Sequence, residues 1–268
     1  MHPGQRYLVK PDSQVNLSQY DPDDTGAFAD KQEALAELKA HRKKLIDLQN
    51  LLYAEGRHAL LVVLQAMDAG GKDGTISHIF SGVNPQGCSV TSFKVPTELE
   101  LRHDFLWRVH KAAPPMGMIG IFNRSHYEDV LVVRVHQKLS PQELKRRFQE
   151  INDFEQMLAH RGTAIVKFFL HISKEEQHRR FMKRLQDPQR RWKVSESDFK
   201  ERRYWDDYQQ AYEDVFRHCS TEVAPWYVVP ANKKWFRNVT ISQILVKVLE
   251  ELKMSYPKPA LKKPARFD

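Results

Sequence analysis

Leu60-Leu61-Val62-Val63-Leu64-Gln65-Ala66-Met67-Asp68-Ala69-Gly70-Gly71-Lys72-Asp73-Gly74-Thr75 is the stretch from which the rest of the chain can be read. A short, continuous apolar run of this kind has the length of a fully buried strand. It stops abruptly in a glycine-rich turn carrying one lysine, and a helix-like segment follows. Strand, tight loop and helix start, in that order, point backbone N–H groups and the positive end of a helix inward, which makes an anion site. Glycine lets the backbone approach a phosphate closely, and Lys72 adds a mobile positive charge.

The fit to the phosphate-loop pattern G-x-x-x-x-G-K-S/T is imperfect. Gly71-Lys72 match, but Ala66 stands at the first glycine position, and Asp73 follows the lysine where a hydroxyl would reach a metal. Thr75 lies two places too late for that role. Two carboxylates, Asp68 and Asp73, flank the lysine instead. Acidic groups beside a phosphate make sense with a cation between them, because Mg2+ is usually held by one or two carboxylates plus phosphate oxygens. The alternative is an ordinary glycine-rich surface turn; the buried run before it and the lysine at the helix start weigh against that.

Outward from this stretch, strand-like and helix-like segments alternate. The leucines between Lys31 and Glu55 recur at helical spacing, and Gly56 marks the end of that helix. Further strands are expected at Cys88–Val95, Met118–Phe122, Ala164–Ile172 and Trp226–Val229. Helices are expected at Glu98–Ala113, from Ser140 to Gly162, along the segment Lys174–Arg217 and at Thr240–Leu252. Ser140-Pro141-Gln142-Glu143 and Ser173-Lys174-Glu175-Glu176 both read as capping boxes. The alternation predicts an α/β fold with a parallel sheet of about five strands covered by helices. Ligands of such sheets sit at the carboxyl ends of the strands. The loop at Lys72, the polar set from Asn123 to Asp129 and the start of the basic segment all follow strands, so they are expected to converge on one cleft. The 268 residues are expected to form a single domain, with residues 1–26 as an irregular arm, 174–217 as a helical lid and 254–268 as a flexible tail.

Bulk numbers narrow the function. Lys and Arg number 42 against 34 Asp and Glu, a net charge of +8, which favours polyanionic partners. No run is long enough to span a bilayer, and no signal-peptide core is evident, so a cytoplasmic protein is expected. Cys88 and Cys219 are far apart and read as ordinary reduced thiols; the 12 histidines show no metal-binding spacing. The surplus charge is concentrated. From His178 to Arg203 there are ten Lys or Arg and four Asp or Glu, a surplus of six within 26 residues. Such a run is often only a solvated helix face. Here Asp187-Pro188 interrupts it, and basic helices hinged at a bend can close over a phosphate ligand.

Arg124 offers a guanidinium fork that matches phosphate oxygens, against the plainer reading of a loop residue. Glu128 and Asp129 are open between metal binding and pairing with Arg124, with pairing favoured for Asp129. His126 and His171 read as structural, and Asp206-Asp207 as acids placed to orient lid arginines, against the plainer reading of helix-surface acids. The equipment is electrostatic throughout: one lysine, many arginines, and acids suited to Mg2+. It fits phosphoryl transfer, in which positioning and charge neutralisation supply nearly all of the catalysis. A phosphate nucleophile is already largely ionised at neutral pH, so no general base is required.

These residues resemble a known family. Ala66 to Thr75, then Ile121-Phe122-Asn123-Arg124-Ser125-His126-Tyr127-Glu128, then Asp187-Pro188 followed by Arg191-Trp192-Lys193, and finally Ala224 to Trp235 are similar to the motifs of the second family of polyphosphate kinases. The resemblance runs in order from about Tyr20 to Leu252 and implies a P-loop kinase fold akin to thymidylate kinase, with a basic helical lid. It implies Mg2+-dependent, reversible transfer of a terminal phosphoryl group between inorganic polyphosphate and AMP, ADP or ATP. Carried over by motif, Asp68 would bind metal, and Asp68, Lys72 and Arg124 would be catalytic. Ala69, Gly70, Gly71, Lys72, Asp73, Gly74 and Thr75, with Arg191 and Lys193 of the lid, would grip phosphate. Asn123, Arg124 and Glu128 would face the nucleotide. Many relatives have Asp where this chain has Asn123, which leaves more of the metal's charge to Asp68. The Asn-Arg-Ser-His-Tyr-Glu run is similar to the class III subgroup, which accepts nucleoside mono- and diphosphates. A homo-oligomer without nucleic-acid or membrane partners is expected.

Two other functions compete. An ATP-dependent nucleoside monophosphate kinase would share the fold, but the altered loop and the concentrated lid charge favour a donor with many phosphates. A nucleic-acid-binding module would share the basic charge, but its aromatic, zinc and helix-turn-helix signatures are not evident.

Overall fold

The computed structural model describes residues 3–136 and 139–259. Five strands form one sheet: β1 (Ala59–Gln65), β2 (Cys88–Ser92), β3 (Ile119–Asn123), β4 (Thr163–His171) and β5 (Trp226–Pro230). Their order is β2-β3-β1-β4-β5 and every pairing is parallel. The apolar run therefore lies at the centre, buried at all seven positions, as expected of a parallel strand covered on both faces.

In chain order the helices are α1 (Pro3–Arg6), α2 (Lys31–Glu55), α3 (Lys72–Ile79), α4 (Glu98–Leu101), α5 (Trp107–Ala112) and α6 (Glu128–Val135), then α7 (Pro141–His160), α8 (Lys174–Gln186), α9 (Glu196–Glu201), α10 (Trp205–Cys219) and α11 (Lys234–Glu251). α11 packs along α2 and against α3, while α10 packs on α6 and α7. α2 starts at Asp30, whose side chain accepts from Gln32 and Glu33 N–H, and ends at Gly56 with φ +67°. α7 has the full capping box of Ser140 and Glu143.

Several boundaries differ from the sequence reading, each for a local reason. The helix expected over Glu98–Ala113 is two short ones, because Asp104 accepts from the Leu106 N–H and turns the chain between them. The last helix starts at Lys234, six residues before Thr240. α6 follows directly on the polar set that hides it. At Ser173 only half a capping box forms: its side chain caps Glu176 N, but the Glu176 carboxylate pairs with Arg179 and Arg180. Near the start of the chain, Val9 N–H donates to Trp226 O at 2.9 Å and Val228 N–H to Tyr7 O at 2.9 Å. These bonds seat the first residues along β5. Residues 253–259 have no regular structure, and the remainder of the expected tail, 260–268, lies outside the described residues.

The register sets the site. Leu64 lies opposite Asn123 and Gln65 opposite Phe169. The chain thus leaves β1 and β3 at the same level, on the same side of the sheet, with the start of α8 beside them.

Candidate active site

The phosphate loop runs from Ala66 to Gly71. Two of its residues have left-handed backbone, Ala69 at φ +61° and Gly71 at φ +102°. Gly71 caps α3 without a side chain, and a methyl group there would overlap the Arg237 guanidinium. Only glycine meets both demands. Lys72, the first residue of α3, curls back to donate from Nζ to Ala66 O at 3.2 Å. Enclosure by the loop, with Arg124 nearby, pushes its pKa down to about 8, while Asp68, Glu128 and Asp73 pull the other way.

Arg124 follows β3 and is also left-handed, at φ +62°; its N–H donates to Leu64 O at 3.1 Å. From there Nη2 reaches Asp68 Oδ1 at 3.0 Å and Nη1 lies 3.6 Å from Glu128 Oε2. Glu128 Oε1 accepts from Gln65 Nε2 at 3.0 Å. Asp73 accepts from Asn123 Nδ2 at 2.9 Å and from Lys193 Nζ at 3.1 Å. Burial works to raise the pKa of Asp73, but those two bonds hold it below the usual carboxylate range. Asp68, Lys72, Asp73, Asn123, Arg124, Glu128 and Lys193 are thus linked around one loop. Arg191 is exposed and has no side-chain partner among the described residues.

Asp129 does not pair with Arg124. It faces Arg108 at 3.8 Å and Arg147 at 3.7 Å, because the residue after Glu128 is turned about 100° around the helix. Asp206 and Asp207 are exposed without an ion pair among the described residues; Arg202 is held by Lys174 O at 2.8 Å and Gln177 Oε1 at 2.7 Å. His126 and His171 are buried against Glu155 and the Tyr20 carbonyl.

Residues that sequence spacing did not single out support the loop from behind. Gln177 Nε2 donates to Asp68 O at 3.0 Å. Arg180 donates from Nη1 to Ala69 O and Gly70 O at 3.0 and 2.9 Å, from Nη2 to Ala231 O and Asn232 O at 2.6 and 3.2 Å, and from Nε to Glu176 Oε1 at 2.6 Å. A guanidinium has five N–H donors, so none of Arg180's is left for a ligand. Arg180 was within the counted basic run, but a charge count carries no direction. Arg237 is 2% exposed, bonds only Asn238 Oδ1, and leaves Nη1 without a partner among the described residues. Burial and the neighbouring Arg180 push its pKa down to about 9. Its surroundings on α11 mix Asn238, Thr240 and Ser242 with apolar residues, so the sequence carries no clear signal for it.

Among the described residues no helix is long and apolar enough to cross a membrane. The model of the family described as Polyphosphate kinase 2 matches residues 28–257. The AMP/ADP-polyphosphate phosphotransferase of Meiothermus ruber is 57% identical over 255 residues, covering 95% of this chain and 96% of its own. The ADP-polyphosphate phosphotransferase of Rhodopseudomonas palustris is 46% identical, covering 97% and 93%. The crystal structure of polyphosphate kinase 2 from Arthrobacter aurescens superposes with a TM-score of 0.94 at 45% identity, over 98% of this chain and 94% of that one. With its central strand, loop and Arg124 turn arranged as above, the chain belongs to the polyphosphate kinase 2 family.

Proposed function

We propose that the protein transfers the terminal phosphoryl group of inorganic polyphosphate to nucleoside mono- and diphosphates, AMP to ADP and ADP to ATP, reversibly and with Mg2+. The observation that carries this reading is the joining of Lys72, Asp68 and Arg124 at one anion loop, with Arg124 Nη2 3.0 Å from Asp68 Oδ1. The names of the near-full-length relatives, one acting on AMP and ADP and one on ADP, point to the same substrates.

The residues fit a magnesium ion of the kind shared with substrate. Among the described residues no group of three or more His, Cys, Asp or Glu side chains is arranged as a protein-only cage. Mg2+ needs none, since one or two carboxylates and substrate phosphates suffice. The Asp68 side chain is 29% exposed and engages Arg124 through Oδ1, so Oδ2 is the donor assigned to the metal. When bound, such an ion would supply positive charge to the substrate's phosphate oxygens. The loop N–H groups and Lys72 hold one phosphate, and Arg124 orients the second against it. Glu128 and Gln65 keep Arg124 in place. The acceptor phosphate is its own nucleophile, so the residues provide alignment and charge and move no proton. Lys193, anchored to Asp73 on the loop, brings lid charge to the donor polymer.

Incubation with AMP or ADP, Mg2+ and long-chain polyphosphate tests the reading. ATP formation that requires both polymer and metal supports it. Phosphorylation of AMP that requires ATP and ignores the polymer would replace it with an ordinary nucleotide kinase.

A further inference from the structure

The turn that carries Arg124 and Glu128 is held from below by a buried polar cluster for which phosphate chemistry has no use. The left-handed φ of +62° at Arg124 persists in a non-glycine residue only where the surroundings over-determine it. His126 and Tyr127 are fully buried two and three positions later. The Tyr127 hydroxyl donates to Glu155 Oε1 at 2.8 Å and accepts from Lys167 Nζ at 2.8 Å. Lys167 also pairs with Glu155 Oε2 and donates to Cys219 O at 2.7 Å. His126 Nε2 lies 3.2 Å from Glu155 Oε1. Within the turn, Tyr127 N–H donates to Ser125 Oγ at 3.2 Å and Glu128 N–H to Ser125 O at 3.1 Å.

Glu155 and Lys167 are 1% and 0% exposed. A buried ion pair is a poor source of net stability, because desolvation offsets its attraction and an apolar replacement is often as stable or more so. Its presence therefore calls for another explanation. Glu155 comes from α7 and Lys167 from β4. Both converge on the side chains at the entry to α6, the segment that fixes where Arg124 and Glu128 emerge.

We infer that Glu155 and Lys167 are positioning residues: acting through Tyr127 and His126, they lock the Ser125–Glu128 turn and thereby set the approach of Arg124 to Asp68. This rests on the reading of Arg124 as a phosphate-facing group.

Tyr127→Phe keeps the ring and removes only the hydroxyl that joins the cluster; Glu155→Gln with Lys167→Met removes both charges. Tyr127→Phe is expected to fold normally and to lower kcat about tenfold while KM for nucleotide stays within about twofold. In an Arg124→Ala background the same change is expected to have little further effect, since groups acting in series are not additive. The paired substitution is expected to follow the same pattern with unfolding stability maintained. Tyr127→Phe at full kcat, while Arg124→Ala is crippled, would overturn the inference alone. A tenfold loss that persists undiminished beside Arg124→Ala would also overturn it, as a general structural effect. Full activity in Arg124→Ala would remove the reading of Arg124 and the inference with it. Should the paired variant fail to fold, the two Tyr127→Phe measurements decide.

Discussion

Arg124 Nη2 lies 3.0 Å from Asp68 Oδ1, although the two residues are 56 positions apart and leave the sheet from neighbouring strands. A guanidinium fork can hold Asp68 with one nitrogen and Glu128 with another, which a lysine cannot do. Arg124→Lys is therefore expected to lower kcat about a hundredfold despite keeping the charge. Asp68→Asn should lose a comparable factor. Steady-state rates with ADP and polyphosphate, alongside urea unfolding, check both. The pair is partly exposed, so stability should change by no more than about 1 kcal/mol.

Lys72 links activity and stability to pH with opposite signs. A lysine in the unfolded chain titrates near about 10.4, whereas Lys72 in the folded loop does so at about 8. Below about 8 both states carry the proton, and the cost of enclosing the charge is fully present. Between the two values the unfolded chain holds a proton that the native protein lacks, so the native state gains stability as pH rises. Over the same rise kcat/KM should fall through about 8 as the ammonium loses its charge. Lys72→Met should abolish activity, unfold at higher urea than the parent at neutral pH, and lose that advantage as pH approaches 10.4 (roughly the free-lysine value). Urea titrations across this range, beside a pH–rate profile, measure both trends.

Arg180→Lys should be destabilising out of proportion to its chemical conservatism. The four carbonyls that Arg180 satisfies, two on the phosphate loop and two after β5, cannot all be reached by an ammonium, and Glu176 loses its buried partner. A loss of about 3 kcal/mol is expected in urea unfolding, the scale for breaking a buried charged network. KM for the phosphate substrate held by the loop should rise with it, because Arg180 pins the carbonyls of Ala69 and Gly70.

The exposed pair of Lys193 and Asp73 behaves differently. Lys193 and Asp73 are 39% and 68% exposed and 3.1 Å apart, so salt screens them. Replacing Arg191 and Lys193 with Ala together should change stability by less than about 0.5 kcal/mol. It should raise KM for long polyphosphate more than for short. Equal kinetics across chain lengths would remove these two residues from the polymer's path.

How much of this could be read beforehand varied with the kind of signal. The central strand and its loop were legible because a buried parallel strand is a continuous apolar run and a phosphate loop needs glycine at fixed places. The end of α2 at Gly56 and the start of α7 at Ser140 are legible for the same reason, as local chemistry fixes them, whereas the Asp30 cap of α2 is not among the signals read. Arg180 and Arg237 were not singled out, because their roles depend on which way a helix face turns in three dimensions. Asp129 was assigned to Arg124, and only the rotation of α6 sends it to Arg108 and Arg147. The break at Asp104 carries no periodic signal, because one side-chain hydrogen bond, from Leu106 N–H to Asp104, interrupts a helical pattern that continues on both sides of it.

With every donor of Arg180 already engaged, the root of the basic segment is fastened to the grip on one side and to the chain after β5 on the other. Arg202 returns to Lys174 O and Gln177 Oε1, so the segment between Gln186 and Arg202 is tied to α8 at both ends. Rearrangement confined to that span would accordingly leave the carbonyls fastened by Arg180 where they are.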